Sequence, residues 1–218
     1  MCSIIEMHSQ YAQKFNHDAI ADAYDNNIQD ETNPIRKGYK DMMQWIGKKT
    51  GTSKYIIDLG CGTGNTTKQI KYYEKIYCVD ISKNMLEIAK NKLAKKENII
   101  FIESDLLNCL DNFQDKNKVD TIVSTYAIHH LTQKEKHIFF KKAFDILPNK
   151  GKIVFGDLMF QNKNYESIMK QKYPNLVKDF DDEVYWYIED ETKQLKEIGF
   201  TVEISQFSDL SWGIYGEK

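Results

Sequence analysis

Arginine is nearly absent from this 218-residue chain: of its 30 basic residues only Arg36 is not lysine. A basic excess is missing too, since the formal net charge is -2 and the isoelectric point lies near 6.2. Without that excess little neutralises a run of phosphates, so nucleic acid is not the expected partner. Proline is scarce, at three residues, which excludes collagen-like and proline-rich chains. The four cysteines, Cys2, Cys61, Cys78 and Cys109, are too scattered for a C-x-x-C motif or a dense disulfide framework, and they read as free thiols in a reducing compartment. No metal site is expected from them. No stretch offers 18 consecutive apolar residues, and the start has neither a basic nor an apolar signal region, so the expectation is a cytoplasmic protein without a membrane partner. What is present, 41% apolar and 28% charged residues, is ordinary globular composition.

Organisation comes from strands alternating with helices. Ile35, Tyr39, Met42, Met43 and Ile46 form an amphipathic helical stripe that Gly51 ends. Strands are expected at 55–59, 76–79, 99–102, 119–125 and 152–158, with a helix over about 65–73, another capped by Ser82, and a third opened by the capping-box spacing Thr132 to Glu135. Helices fill 160–190. The chain then closes with a helix to Ile198 and two strands joined without a helix, an antiparallel edge hairpin. This order predicts an α/β fold: a Rossmann-like doubly wound sheet of seven strands, mostly parallel with an antiparallel last strand, helices on both faces and an N-terminal helical cap. The domain plan is a single unit over 1–218. It comprises a cap (1–50), a cofactor-binding half (51–159), a substrate-side insertion (160–190) and a C-terminal helix with its hairpin (191–218).

Ligands of such a sheet bind beyond the carboxyl ends of its strands, where the chemistry-bearing residues fall. Gly60, Gly62 and Gly64 follow the first strand at alternate positions, which lets the backbone turn tightly, approach a ligand and open a helix. Asp80 ends the second strand 20 residues after Gly60, the spacing at which a carboxylate takes ribose hydroxyls. Together they point to an adenosine-containing ligand. Asn65 stands where a dinucleotide fingerprint needs its last glycine.

The segment Ile57-Asp58-Leu59-Gly60-Cys61-Gly62-Thr63-Gly64 resembles the first motif of the class I S-adenosylmethionine-dependent methyltransferases. The resemblance spans roughly residues 35–218, through Val79-Asp80-Ile81-Ser82, Ser104-Asp105-Leu106, Asp120 to Ser124, Leu147 to Lys152 and Leu195 to Phe200. Tyr126-Ala127-Ile128-His129-His130-Leu131 resembles the segment after the fourth strand in the family's small-molecule enzymes. The family implies S-adenosyl-L-methionine as cofactor and a small-molecule acceptor. It implies Gly60, Cys61, Gly62 and Gly64 around the methionine part with Asp58 near its ammonium. Asp80 falls on the ribose, Ile81 and Met85 on the adenine faces or in the core, and Asp105 on the adenine amino group or capping a helix. Leu106 and Ser124, which adjoin these landmarks, are also expected to bind the cofactor.

Methyl transfer from a sulfonium is an in-line displacement that needs alignment more than a base. His129 and His130 are the candidate catalytic residues, able to take a proton from an amine or hydroxyl, or else to bond a loop backbone. As sequence neighbours they are expected to point different ways, with at most one facing the pocket. Tyr11, Phe15 and Tyr24 read as an aromatic lid or as core, and Arg36 as a partner for the cofactor's carboxylate, an anionic substrate or solvent. The acids and rings of 179–191 suit a cationic or amine acceptor, or a solvated face. Two other readings stay open: a nicotinamide-dependent oxidoreductase, and a binding protein that holds the cofactor without turnover.

Overall fold

The computed structural model describes residues 21–113 and 119–218. Tyr11 and Phe15 lie outside the described residues. Among the described residues eight strands and eight α-helices follow the expected alternation: α1 (Ala21–Ile28), α2 (Tyr39–Thr50), β1 (Tyr55–Leu59), α3 (Asn65–Gln69), β2 (Lys75–Asp80), α4 (Lys83–Lys92) and β3 (Ile99–Glu103). After these come β4 (Thr121–Thr125), α5 (Gln133–Ile146), β5 (Lys152–Phe160), α6 (Lys163–Lys172), α7 (Val177–Asp182), β6 (Trp186–Tyr187), α8 (Ile188–Ile198), β7 (Thr201–Gln206) and β8 (Ser211–Glu217). The main sheet runs β3-β2-β1-β4-β5-β8-β7, parallel from β3 to β5, with β8 inserted antiparallel between β5 and β7. Strand order reverses between β1 and β4, which puts the crevice of this sheet beyond their carboxyl ends.

The core divides by side-chain alternation along the strands. Ile57, Ile122, Ile153, Phe155 and Met159 face one way, against Phe139, Phe140, Ala143 and Ile146 of α5 and Leu195 of α8. Ile56, Val123, Val154, Leu158 and Phe160 face the other, against Tyr39, Met42, Met43 and Ile46 of α2 and Leu86 of α4. At Gly156 a Cβ would stand 2.6 Å from the Met42 sulfur, so glycine there lets α2 lie close on β5.

Caps fall where the sequence puts them. Ser82 accepts from the Met85 amide, and Thr132 with Glu135 completes a capping box. Three expectations need correction. The helix whose stripe was read from Ile35 begins only at Tyr39, after the left-handed Gly38 (φ +82°), and leaves Ile35 in the turns before it. The helix after the glycine turn stops at Gln69 instead of reaching Tyr73: Ile70 turns extended and buries its side chain, and the β-branched Thr66 and Thr67 give the short helix little propensity of its own. Within 160–190 the chain is not all helical, because Trp186 and Tyr187 add a short parallel strand to the end of β5.

Candidate active site

The glycine turn is held open from two sides. Asp80 accepts from the Gly62 amide (2.7 Å) through one oxygen and from the Ser82 amide (2.8 Å) through the other, so the carboxylate expected on ribose also fixes the loop that leads to it. Asp25 of α1 accepts from the Thr63 hydroxyl (2.6 Å) and the Asn65 amide (2.9 Å), and Lys92 of α4 pairs with its second oxygen. These contacts tie the helical cap to the turn. Tyr24, on the same helix, is the nearest atom group to a Cβ built on Gly62, at 3.9 Å, and that open approach is the space a ligand needs. Gly60 has φ +64°, and its missing Cβ would meet Ala127 at 2.4 Å, so β1 and the segment after β4 close on each other here.

Asp58 is fully buried beneath this turn. Its Oδ2 accepts from the Thr67 hydroxyl (2.5 Å), while Oδ1 has no hydrogen-bond partner among the described residues, and burial pushes its pKa up to about 7. A buried carboxylate oxygen without a donor suits a ligand cation. The Cys61 thiol is also buried and held well above its ordinary pKa by desolvation, which leaves it inert. Ser124 uses its hydroxyl to bond the Leu59 carbonyl (2.8 Å), linking β4 to β1. Asp105 accepts from the amides of Leu107 (2.8 Å) and Asn108 (3.0 Å), so it shapes the turn after β3. Ile81 and Leu106 are half-buried at the same strand ends, and Met85 is buried in the first turn of α4.

On the other side of the switch point lies a cavity of about 180 Å³. Its walls include Tyr24, Arg36, Tyr126, His129, His130 and Leu158, with Asp179, Glu183 and Tyr185 from the insertion. Tyr126 takes a left-handed conformation, φ +51°, uncommon outside glycine; its hydroxyl meets Ser211 at 2.9 Å and its ring lies under the Arg36 guanidinium at 5.2 Å. Both histidines line this cavity, against the expectation of at most one. The cause is the 3-10 turn Ile128–His130, in which successive side chains are about 120° apart and two can share an open side. The acids of 179–191 divide. Asp179 and Glu183 reach the cavity, whereas Asp181, Asp182, Glu189 and Asp190 are exposed, Asp181 pairing with Lys170.

His129 is anchored by a residue the sequence reading passed over. Asp157, buried in β5, accepts from the His129 amide (3.0 Å), the Trp186 indole (3.0 Å) and the Leu158 amide (2.8 Å), and bonds the His129 Nδ1. His129 Nε2 lies 3.2 Å from Glu183 Oε2. Burial favours the neutral imidazole, but Asp157 and Glu183 together outweigh it and hold the His129 pKa above its ordinary value. The segment bearing Glu183 is stitched in place: the Val184 amide donates to the His129 carbonyl (3.1 Å), and Lys136 of α5 donates its ammonium to the Val184 carbonyl. One signal was available for Asp157, a single carboxylate inside the otherwise apolar run from Ile153 to Phe160.

Residues 56–151 match the model of a methyltransferase domain. An uncharacterized methyltransferase of Geobacillus sp. (strain WCH70) is 32% identical over 202 residues, 88% of this chain and 91% of that protein. This chain belongs to the class I S-adenosylmethionine-dependent methyltransferases. A second relative, an uncharacterized methyltransferase of Bacillus thuringiensis (strain Al Hakam), is 31% identical over 210 residues, covering 92% of this chain and 95% of its own. Among solved structures, the N-methyltransferase NodS from Bradyrhizobium japonicum WM9, in complex with S-adenosyl-L-homocysteine, superposes with a TM-score of 0.64 at 14% identity, over 93% of this chain and 98% of that one. The methyltransferase's cofactor is S-adenosyl-L-methionine, and the nicotinamide alternative falls with that assignment. No helix among the described residues is long and apolar enough to cross a membrane.

Proposed function

We propose that this methyltransferase acts on a small-molecule acceptor seated in the cavity between the glycine turn and the 160–190 insertion. The observation that carries the reading is the cavity itself. At about 180 Å³ it is small beside the roughly 300–1,000 Å³ of common ligand pockets, and its walls come from the cap, the segment after β4 and the insertion. In this reading Asp58 holds the donor's ammonium, Asp80 the ribose, Ile81, Met85, Asp105 and Leu106 the adenine, and Gly60 to Gly64 the methionine backbone. The cofactor supplies an electrophilic methyl group on a sulfonium. The chain's own work is to align the acceptor and exclude water, with His129, His130 and Glu183 holding the acceptor's polar end.

The test is formation of S-adenosyl-L-homocysteine from S-adenosyl-L-methionine in the presence of low-molecular-weight acceptors, run beside macromolecular fractions. Turnover confined to protein or nucleic acid fractions overturns the reading. Asp80→Ala is expected to weaken cofactor binding by about 1–3 kcal/mol, because it removes the ribose acceptor and releases the Gly62 amide. Unchanged affinity in calorimetry contradicts the ribose assignment.

Asp58 adds a pH signature. Its pKa is raised from 3.8 to about 7 without ligand, so in that window the folded chain holds a proton that the ligand's ammonium must displace. Affinity for S-adenosyl-L-homocysteine is therefore expected to rise with pH, by up to about tenfold per unit, and to level off above about 7. Asp58→Asn should flatten the profile. A slope that persists in that variant belongs to another group.

A further inference from the structure

We propose that His129, His130 and Glu183 form a binding site for a divalent transition-metal ion, of the zinc class, at the acceptor-facing end of the cavity. One ligand atom from each of the three lies within 4.8 Å of the others. The His129 and His130 rings are 4.1 Å apart between centroids, side by side on the 3-10 turn, and Glu183 comes over from the insertion.

The orientation of His129 is the strongest argument. Asp157 is buried and takes three other donors, so it accepts from Nδ1–H and turns Nε2 toward Glu183, where either a proton or a metal ion can bridge the two groups. Nε2 lies 3.2 Å from Glu183 Oε2, a buried oxygen whose partner there is this ring. That is also the spacing two such atoms have as neighbours on one ion, which would take the place of the proton they share. Bonds of about 2.0–2.2 Å at angles near 90–110° set adjacent ligands roughly 2.9–3.5 Å apart. A carboxylate behind the metal-binding histidine is the usual outer-shell support of such a centre. Two imidazoles and one carboxylate form the donor set of three-ligand zinc sites that keep a position open, and here the open side is the cavity. The ligands come from residues 129, 130 and 183, so no sequence spacing announces them.

An ion in this place would polarise an oxygen or sulfur atom of a bound acceptor. That consequence rests on the small-acceptor reading, but metal binding does not. Zn²⁺ stoichiometry by equilibrium dialysis and elemental analysis, with Co²⁺ absorption in the visible as a probe of the ligand field, tests the site on the full chain at pH 7.5. The expected result is one ion per chain, with Asp157→Asn weakening Zn²⁺ by about 10–100-fold as an outer-shell change. Glu183→Gln and His130→Ala should weaken it further while keeping the thermal shift with S-adenosyl-L-homocysteine that reports an intact fold. An ion retained by both ligand variants, or no stoichiometric binding, overturns the site. So does a primary ammonium probe that binds where Zn²⁺ does not, since it would make the same three groups an amine receptor. Metal bound without turnover of any small molecule would sink the acceptor reading alone.

Discussion

Asp157→Ala is expected to destabilise the protein by about 3–5 kcal/mol, although the residue touches neither the glycine turn nor its expected ligand. The side chain is 1% exposed and accepts from the amides of His129 and Leu158 and the indole of Trp186. Truncation leaves these donors buried without partners, each at about 1–3 kcal/mol, with some relief from relaxation. It also frees the His129 ring, so turnover should fall much more than cofactor affinity, with the loss in kcat larger than the change in KM. Asp157→Asn separates the two effects. The amide keeps the shape and one acceptor oxygen, yet sets an N–H₂ group against a donor, so part of the stability should return while the activity stays low. Urea unfolding together with S-adenosyl-L-homocysteine calorimetry reads both. A stability within 1 kcal/mol of the parent chain would mean that the cluster around Asp157 is not formed.

The geometry of the glycine turn was legible because its residues are close in sequence and their spacing is set by backbone geometry. Asp58 to Gly64 and Asp80 sit at the ends of two adjacent parallel strands, and a strand, a turn and a crossover helix fix the distance between them. Ser82, Thr132 and Glu135 were legible for the same local reason. The cavity beside the glycine turn was only partly so. Asp157 and Glu183 meet His129 across 28 and 54 residues of chain, and Trp186 joins them through Asp157, by way of the β5–β6 pairing and the stitches at Val184. Nothing local foretells that meeting. Reading the His129-His130 pair as pointing different ways left the pocket at most one of them, and the 3-10 turn brings both to the cavity. Arg36, read as a partner for the cofactor's carboxylate, an anionic substrate or solvent, lies over the Tyr126 ring on the cavity wall.

Lys136 carries a signal of a different kind, a charge on a helix stripe that should be apolar. It precedes Phe139, Phe140 and Ala143 on the buried side of α5, is 0% exposed, and lies 5.6 Å from the Trp186 ring centroid. Burial pushes its pKa down, while the nearby Glu191, buried on α8, is pushed up by the same cause. Each charge is tolerated because of the other. Lys136→Ala is therefore expected to cost about 3–5 kcal/mol, since it strands the Glu191 carboxylate, empties core volume and removes the donor to the Val184 carbonyl. Lys136→Met with Glu191→Leu should recover most of that loss, because apolar groups replace the pair as a unit. The pH dependence has a definite sign. Glu191, raised above 4.5, makes stability fall as pH increases from that value until the folded carboxyl ionises; Lys136, lowered below 10.5, makes stability rise again as its ammonium deprotonates toward that value. The parent chain should show a dip between those windows, and the double variant should lack it. With its stability restored and the Val184 carbonyl still without its donor, the double variant isolates the positioning role. If the 183–186 segment depends on Lys136 to present Glu183, methyl transfer stays impaired in a well-folded protein, and full activity would mean that the β6 pairing and Asp157 hold the segment without it.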